Sequence, residues 1–198
     1  MKILAFSDVH ANRRYLKNLV KKAKHADILI CAGDLSLFEQ GLTAAAKLLS
    51  TAKKPILIIP GNHETERSVA NLQQHFATII PLHNTTYTLG DTIFYGYGLG
   101  GFSFHDNGME RFIKRVHTKI SHSNKKVFIT HAPPYNTPLD YLEWAGEHRG
   151  CKTTVDMIKQ TKPHLAFCGH FHETAGQECR IGTTKVINAG WEGKIISL

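Results

Sequence analysis

Short apolar runs alternate with longer amphipathic stretches through the first half of the chain. Three runs contain few polar positions, as strands buried on both faces do: Ile3–Phe6, Asp27–Cys31 and Pro55–Ile59. The stretches between and after them favour helices, which we predict at Arg13–Lys24, Phe38–Ala52 and Glu66–Phe76. The pattern therefore predicts a β-α-β-α-β unit with parallel strands.

The second half has a more mixed pattern. Two strands are predicted at Thr85–Leu89 and Thr92–Tyr97, joined by a turn at Gly90-Asp91, and a glycine-rich stretch follows from Gly96 to Gly108. Further helices are predicted at Met109–His122 and Thr153–Gln160, and further strands at Lys125–Thr130 and Leu165–Cys168. The end, Ala175–Leu198, indicates short strands with turns at Gly182 and Gly190–Gly193. With no repeat or linker, residues 1–198 are expected to form one domain of two facing sheets with helices outside.

Composition narrows the class of protein. No apolar run approaches the roughly 18 residues that a membrane span needs, and the N-terminal MKILAFSDVH reaches a charged residue too soon for a signal peptide, so neither is predicted. The four cysteines form no C-x-x-C pair, which favours free thiols in a reducing compartment. We therefore expect a cytoplasmic protein. The sequence indicates no oligomeric state.

The chain is basic, with a formal net charge of +8. Such a charge attracts anions, including phosphate esters and nucleic acids, although a solvated basic surface would give the same balance. The cationic clusters lack the interleaved aromatics of a single-strand binder: Lys17, Lys21, Lys22 and Lys24, and Lys53 with Lys54. Nucleic acid is therefore a possible partner but not the favoured one.

Five strand-like runs each end in residues able to bind metal. The endings are Asp8-Val9-His10, Gly33-Asp34, Gly61-Asn62-His63-Glu64, Thr130-His131 and Gly169-His170-Phe171-His172. Ligands bind beyond the carboxyl ends of strands in open α/β sheets, so these side chains are expected to meet. Taken alone, Asp8 would be read as a helix cap, and Asp34 and Asn62 as turn residues. The repeated position of the endings is what favours a shared site.

This set of side chains suits a particular class of metal. Imidazole and carboxylate groups without thiolate favour first-row ions such as Mn, Fe, Co, Ni or Zn. Asp8 and His10 are two residues apart, as are His170 and His172, so each pair can point the same way from an extended segment.

In this order and spacing, the five blocks resemble the calcineurin-like metallophosphoesterases over nearly the whole chain. The stretch from His148-Arg149-Gly150-Cys151 to Glu173 is further similar to a subgroup of phosphoesterases without an assigned substrate. The resemblance implies an α/β fold, a four-layer αββα sandwich of two mixed sheets flanked by helices. It also implies two divalent metal ions, with manganese preferred.

The resemblance implies a role for each matching residue. Asp8, His10 and His172 would hold the first metal, Asn62, His131 and His170 the second, and Asp34 would bridge both. His63 would face the leaving-group oxygen, so His63 and Asp34 are the candidate catalytic residues. Glu64 would orient His63 or cap the next helix, and the cap is preferred.

The expected reaction is hydrolysis of a small phosphodiester or phosphomonoester, including nucleotides, by attack of a metal-bridging hydroxide. A nuclease and a non-catalytic scaffold that binds a protein partner are the alternatives. The candidate substrate-pocket residues are Phe102, His105, Tyr135, Trp144 and Arg149. Their alternative roles are ordinary core aromatics and a surface charge.

Overall fold

The computed structural model describes residues 1–198 and has strands and helices in the predicted order. In the first part the elements are β1 Lys2–Phe6, α1 Arg13–Lys22, β2 Ile28–Cys31, α2 Leu42–Ser50, β3 Ile56–Ile58, α3 Glu66–His75 and β4 Ile79–Pro81. In the second part they are β5 Thr85–Leu89, β6 Thr92–Tyr97, α4 Asn107–Ser121, β7 Lys125–Thr130, β8 Tyr141–Leu142, β9 Glu147–His148, α5 Lys152–Thr161, β10 Leu165–Cys168, β11 Glu178–Ile181, β12 Thr184–Asn188 and β13 Lys194–Ser197.

Two large mixed sheets form the centre of the fold. The first has the order β13-β1-β2-β3-β4, with β13 antiparallel to β1 and the other pairs parallel. The second has the order β11-β12-β10-β7-β6-β5, with parallel pairing from β12 to β6 and an antiparallel strand at each edge. A small two-stranded sheet, β8-β9, stands apart. The predicted fold of two mixed sheets with helices is confirmed.

Alternation along the strands divides the core into three layers. In β1, Ile3 and Ala5 face the second sheet, whereas Leu4 and Phe6 face α1 and α2. The strands of the second sheet likewise send alternate side chains to the middle layer and to the layer under α4 and α5. Because both faces of each sheet are covered, its central strands are apolar without interruption.

Three local predictions were wrong. Helix α2 begins at Leu42 rather than at Phe38, because Phe38 and Glu39 have positive φ angles of 49° and 65° and cannot belong to a right-handed helix. Strand β4 was missed, since it is only three residues long and ends in Pro81. The β8–β9 hairpin was missed because its two-residue strands have no readable period.

No helix in the structure has the combination of length and apolar character needed to cross a bilayer. The four cysteines are free, and three of them are buried.

The middle layer lies between the two sheets, so it is the place to test how they pack against each other. Ile129 in β7 is fully buried between the sheets. We expect Ile129→Ala to lower the free energy of unfolding by about 2–5 kcal/mol through lost burial and a cavity. Ile195→Ala in β13, at a side chain that is 39% exposed, is the control and should cost about 1 kcal/mol or less. Urea denaturation followed by circular dichroism measures both, and equal losses would contradict the three-layer core.

Candidate metal centre

The residues that follow the strands of the first sheet lie at its carboxyl edge. Asp8 and His10 follow β1, and Asp34 follows β2. Their φ angles are 55°, 47° and 44°, in the left-handed region that residues other than glycine seldom adopt. Backbone hydrogen bonds hold the two loops together: Asp8 N–H donates to Gly33 O and His10 N–H to Asp34 O, each over 3.1 Å. Strained backbone supported in this way is typical of functional sites.

Glycines precede the candidate ligands because the loops approach each other closely. A Cβ atom at Gly61 would lie 1.9 Å from Asp34 Oδ1, and one at Gly33 would lie 2.3 Å from His131 Nδ1. Neither position can hold a side chain without moving a candidate ligand. Asn12, not Asp8, caps α1, so the Asp8 carboxylate is free for another role.

The first group of donors is Asp8, His10 and His172. The Nε2 atoms of His10 and His172 lie 3.1 Å apart, and an Asp8 oxygen lies 4.0 Å from His172 Nε2. Atoms that bind one cation at about 2.0–2.2 Å are separated by roughly 3 Å, so this group fits a metal ion. The donors come from both sheets, since His172 follows β10.

The second group is Asn62, His131 and His170. Asn62 Oδ1 lies 3.0 Å from His131 Nε2 and 2.9 Å from His170 Nδ1, so one amide oxygen and two ring nitrogens converge. Asp34 stands between the groups, with its Oδ2 atom 3.4 Å from His131 Nε2. Overlapping sets of donors within 4.8 Å of one another also join Asp34 to His10 and to Asp8. The structure thus brings all seven candidate ligands into one cluster.

Burial and neighbouring charges together shift the pKa values of the two histidines in the second group. Burial lowers the pKa of His170 to about 4, with help from the charge of His131. Burial also opposes charge on His131, but the hydrogen bond and negative charge of Asp34 outweigh it and raise the pKa of His131 to about 9. For Asp34, burial favours the neutral acid, but His131 and His63 outweigh that effect and lower its pKa. A cation at His131 must therefore displace a proton.

His63 lies beside the cluster with a defined orientation. The Phe38 backbone N–H donates to His63 Nδ1 over 3.3 Å, and the Phe38 ring packs against the imidazole with centroids 4.3 Å apart. Because Nδ1 accepts, Nε2 carries the proton of the neutral ring; it lies 3.8 Å from Asp34 Oδ2. The Phe38–Gly41 loop was predicted as helix, so the sequence did not reveal this support.

Glu64 neither caps the next helix nor touches His63, so the preferred interpretation of this residue was wrong. Thr65 is the N-cap of α3, in a capping box with Ser68. The buried Glu64 carboxylate instead accepts hydrogen bonds from the N–H and hydroxyl of Ser36, both 2.7 Å, and from Gly61 N–H at 2.9 Å. Burial raises its pKa. Glu64 thereby fastens the loop that carries Asp34 to the loop that carries Asn62.

The candidate pocket residues fall into two clefts. Phe102, Trp144 and Arg149 line a cleft of about 530 Å³ beside the cluster, together with His170 and His172. Its other lining residues, which the sequence did not single out, are Gly101, Leu142, Phe171 and Glu173. Glu173 accepts a hydrogen bond from Trp144 Nε1 over 3.2 Å.

His105 and Tyr135 lie elsewhere, in a second cleft of about 480 Å³. The structure therefore separates these two residues from the other three that the sequence grouped with them. The loop after Gly100 joins the clefts, since it carries Phe102 on one side and His105 on the other.

Comparison with known proteins identifies the family. The family model described as calcineurin-like phosphoesterase matches residues 1–174, a range that contains every residue of the cluster. The chain belongs to the calcineurin-like phosphoesterase family. Its membership agrees with the order of the five ligand blocks and with the donor groups at the carboxyl ends of the strands.

Relatives of this calcineurin-like phosphoesterase include proteins with and without a described activity. An uncharacterized protein of Methanocaldococcus jannaschii, MJ1162, is 27% identical over 197 residues, covering 95% of this chain and 87% of that protein. The structure of TT1561 of Thermus thermophilus matches with a TM-score of 0.78 and 20% identity over 96% of this chain and 90% of that one. A dimetal phosphatase from Danio rerio, LOC 393393, matches with a TM-score of 0.61 and 10% identity over 94% and 86%. The two structural matches show the shared fold.

The loop beside the cluster is supported by His83, whose side chain is buried. His83 Nδ1 accepts the Gly98 N–H over 2.9 Å, its ring packs on Tyr97, and its side chain is 7% exposed. Burial lowers the pKa of His83, although the carboxylates of Glu66 and Asp106 act in the opposite direction.

We expect acid to destabilise the protein through His83. The unfolded chain binds a proton near the ordinary pKa of about 6.5, whereas folded His83 resists it. The free energy of unfolding should therefore fall as pH drops below about 6.5 towards the lowered pKa. Urea denaturation between about pH 5 and pH 8 should give a smaller decline for His83→Gln than for the wild type or for His75→Gln, a change at an exposed histidine. Parallel declines in all three proteins would disprove the role of His83.

Proposed function

We propose that the chain is a two-metal phosphoesterase that hydrolyses a small phosphodiester or phosphomonoester. The observation that carries the proposal is the pair of donor groups joined at Asp34, each drawing side chains from both sheets. The family and the fold shared with a dimetal phosphatase support it.

Each donor group would hold one first-row divalent ion, with manganese the preferred candidate. Asp8, His10 and His172 would form the first site, and Asn62, His131 and His170 the second, with Asp34 shared between them. Bound cations there would supply Lewis acidity, neutralising charge on phosphate oxygens and lowering the pKa of water. Asn62 contributes a neutral oxygen, which keeps the centre positive for an anionic substrate.

His63 is the candidate residue for stabilising the leaving-group oxygen. Its Nε2–H group points towards Asp34 while its Nδ1 is held by the Phe38 backbone, so the proton is presented on the side of the cluster. A hydrogen bond from Nε2–H would stabilise the negative charge that develops on the departing alkoxide as the phosphorus–oxygen bond breaks, and solvent would then protonate the released alkoxide. Phe102, Trp144 and Arg149 are the candidate substrate-binding residues, because they line the cleft next to His170 and His172.

The direct test is turnover of bis-p-nitrophenyl phosphate and p-nitrophenyl phosphate by metal-free protein supplied separately with Mn, Ni, Co, Zn or Fe. We expect metal-dependent release of p-nitrophenol and, by elemental analysis, two ions bound per chain. The proposal fails if both sites load but neither ester is cleaved between neutral and alkaline pH. That outcome would favour the scaffold alternative.

Two variants separate metal binding from stabilisation of the leaving group. Asp8→Asn should weaken metal binding by more than about ten-fold and lose turnover with it, since a ligand charge is removed. His63→Ala should keep its metal content yet lower kcat by roughly 10²–10³-fold, the usual effect of removing one hydrogen-bond donor to a developing oxyanion. His75→Ala, at an exposed histidine, is the matched control for His63→Ala and should leave both quantities unchanged. Loss of metal in His63→Ala would reject its assignment as the residue that stabilises the leaving group.

A further inference from the structure

The second cleft has an unbalanced positive charge. Its basic residues are Lys152, Lys159 and Arg180, with His105 at the side, and its one acidic residue is Asp156. Lysine and arginine form ion pairs elsewhere in the molecule, through Lys125, Arg149, Lys185 and Lys194. Lys152, Lys159 and Arg180, like most lysines and arginines of the chain, form no ion pair. Arg180 Nη1 donates to the Thr183 carbonyl over 3.4 Å.

Aromatic side chains lie among these cations. The ammonium group of Lys152 lies 5.5 Å from the ring centroid of Phe104 and 5.1 Å from that of Tyr135. The two rings meet edge to face, with centroids 5.6 Å apart. Phe104 is 42% exposed. Tyr135 in the cleft and Phe104 beside it therefore offer aromatic surface next to the ammonium group of Lys152.

Exposed rings also lie beside the metal centre. Phe102, two residues before Phe104, is 79% exposed and packs edge to face on His170 with centroids 4.8 Å apart. Trp144, across the first cleft, is 76% exposed. We define the aromatic–basic face as these rings with the cations of the second cleft: Phe102, Phe104, Tyr135, Trp144, Lys152, Lys159 and Arg180.

We propose that the aromatic–basic face binds single-stranded nucleic acid and leads one of its phosphodiesters into the metal centre; cleavage at that centre rests on the function proposed above. Unpaired bases stack on exposed rings, and the cations track the phosphates. A duplex keeps its bases inside and cannot use the rings. An acidic peptide would use the cations without any need for stacking surfaces. The charge and the aromatics together therefore select a single strand.

The sequence singled out Phe102, Tyr135 and Trp144 but not the complete face, because its residues come from separate segments. Phe102 and Phe104 belong to the loop before α4, Tyr135 and Trp144 to the segment between β7 and α5, Lys152 and Lys159 to α5, and Arg180 to β11. The lysine-rich α1 carries one half-exposed ring, Tyr15, which packs against Trp191 with centroids 6.1 Å apart, and the helix packs on the outside of the other sheet. It therefore supplies a control with equal charge change.

Binding is measured on the full-length protein in EDTA, so that the result does not depend on catalysis. The probe is a fluorescein-labelled oligothymidylate of about 12 nucleotides, followed by fluorescence anisotropy. We expect Lys159→Glu/Arg180→Glu to raise Kd about ten-fold at low salt. Its slope of log K against log salt should flatten by roughly 1.4, which corresponds to two lost phosphate contacts at about 0.7 each. The control Lys17→Glu/Lys21→Glu should bind within about two-fold of the wild type.

Stacking is tested at Phe104. Phe104→Ala should raise Kd at least about five-fold, the effect of losing one stacked base, whereas Phe104→Tyr should restore binding to within about two-fold of the wild type. Thermal denaturation of each variant verifies that it is folded. A duplex of the same length and a polyglutamate peptide should compete weakly for the labelled strand.

The outcomes separate this proposal from the proposed hydrolysis. Binding with the expected variant effects in a protein that cleaves no aryl ester would support the face and reject the phosphoesterase. Ester hydrolysis without oligonucleotide binding would do the reverse. Equal weakening by the α1 control, indifference to Phe104→Ala, or stronger competition by duplex or polyglutamate would overturn the proposal, because each shows binding by charge alone.

Discussion

The packing of the two sheets against each other governs the candidate metal centre. Each donor group takes residues from both sheets: Asp8 and His10 meet His172, and Asn62 meets His131 and His170. Their separation is set by the apolar middle layer, in which residues such as Ile30 and Phe167 are fully buried. A sandwich of this kind holds polar groups at its rim with a precision that single loops do not reach.

Several polar contacts orient the candidate ligands that the packed sheets bring together. The Asp8 carboxylate accepts the His170 N–H, so a backbone group of the second sheet orients a candidate metal ligand of the first. The Ala32 carbonyl lies 2.9 Å from His131 Nδ1, so a backbone group of the first sheet orients a candidate metal ligand of the second. Glu64 adds a tie between neighbouring loops of the first sheet. Outer partners of this kind determine which ring nitrogen is available to a cation and where it points.

The strand endings could be predicted from the sequence because burial on both faces leaves continuous apolar runs, and parallel strands end at a common edge. The loop of Phe38 could not be predicted, because a left-handed backbone conformation does not change the pattern of apolar residues. Its contact with His63 depends on a residue that lies 25 positions away in the chain. The role of Glu64 depends on Ser36, which is 28 residues away in the chain. The aromatic–basic face depends on segments that only the folded second sheet brings together.

The contact between Gly61 and Asp34 has a consequence for how such proteins vary. At 1.9 Å, even a methyl group on residue 61 would overlap the carboxylate, so evolution can change this position only by giving up the arrangement of Asp34. The glycine of the Gly-Asn-His block is thus required by a neighbouring loop, the one that carries Asp34, and not by its own loop. A search for distant relatives that retain this centre should weight the glycine as heavily as the ligands beside it.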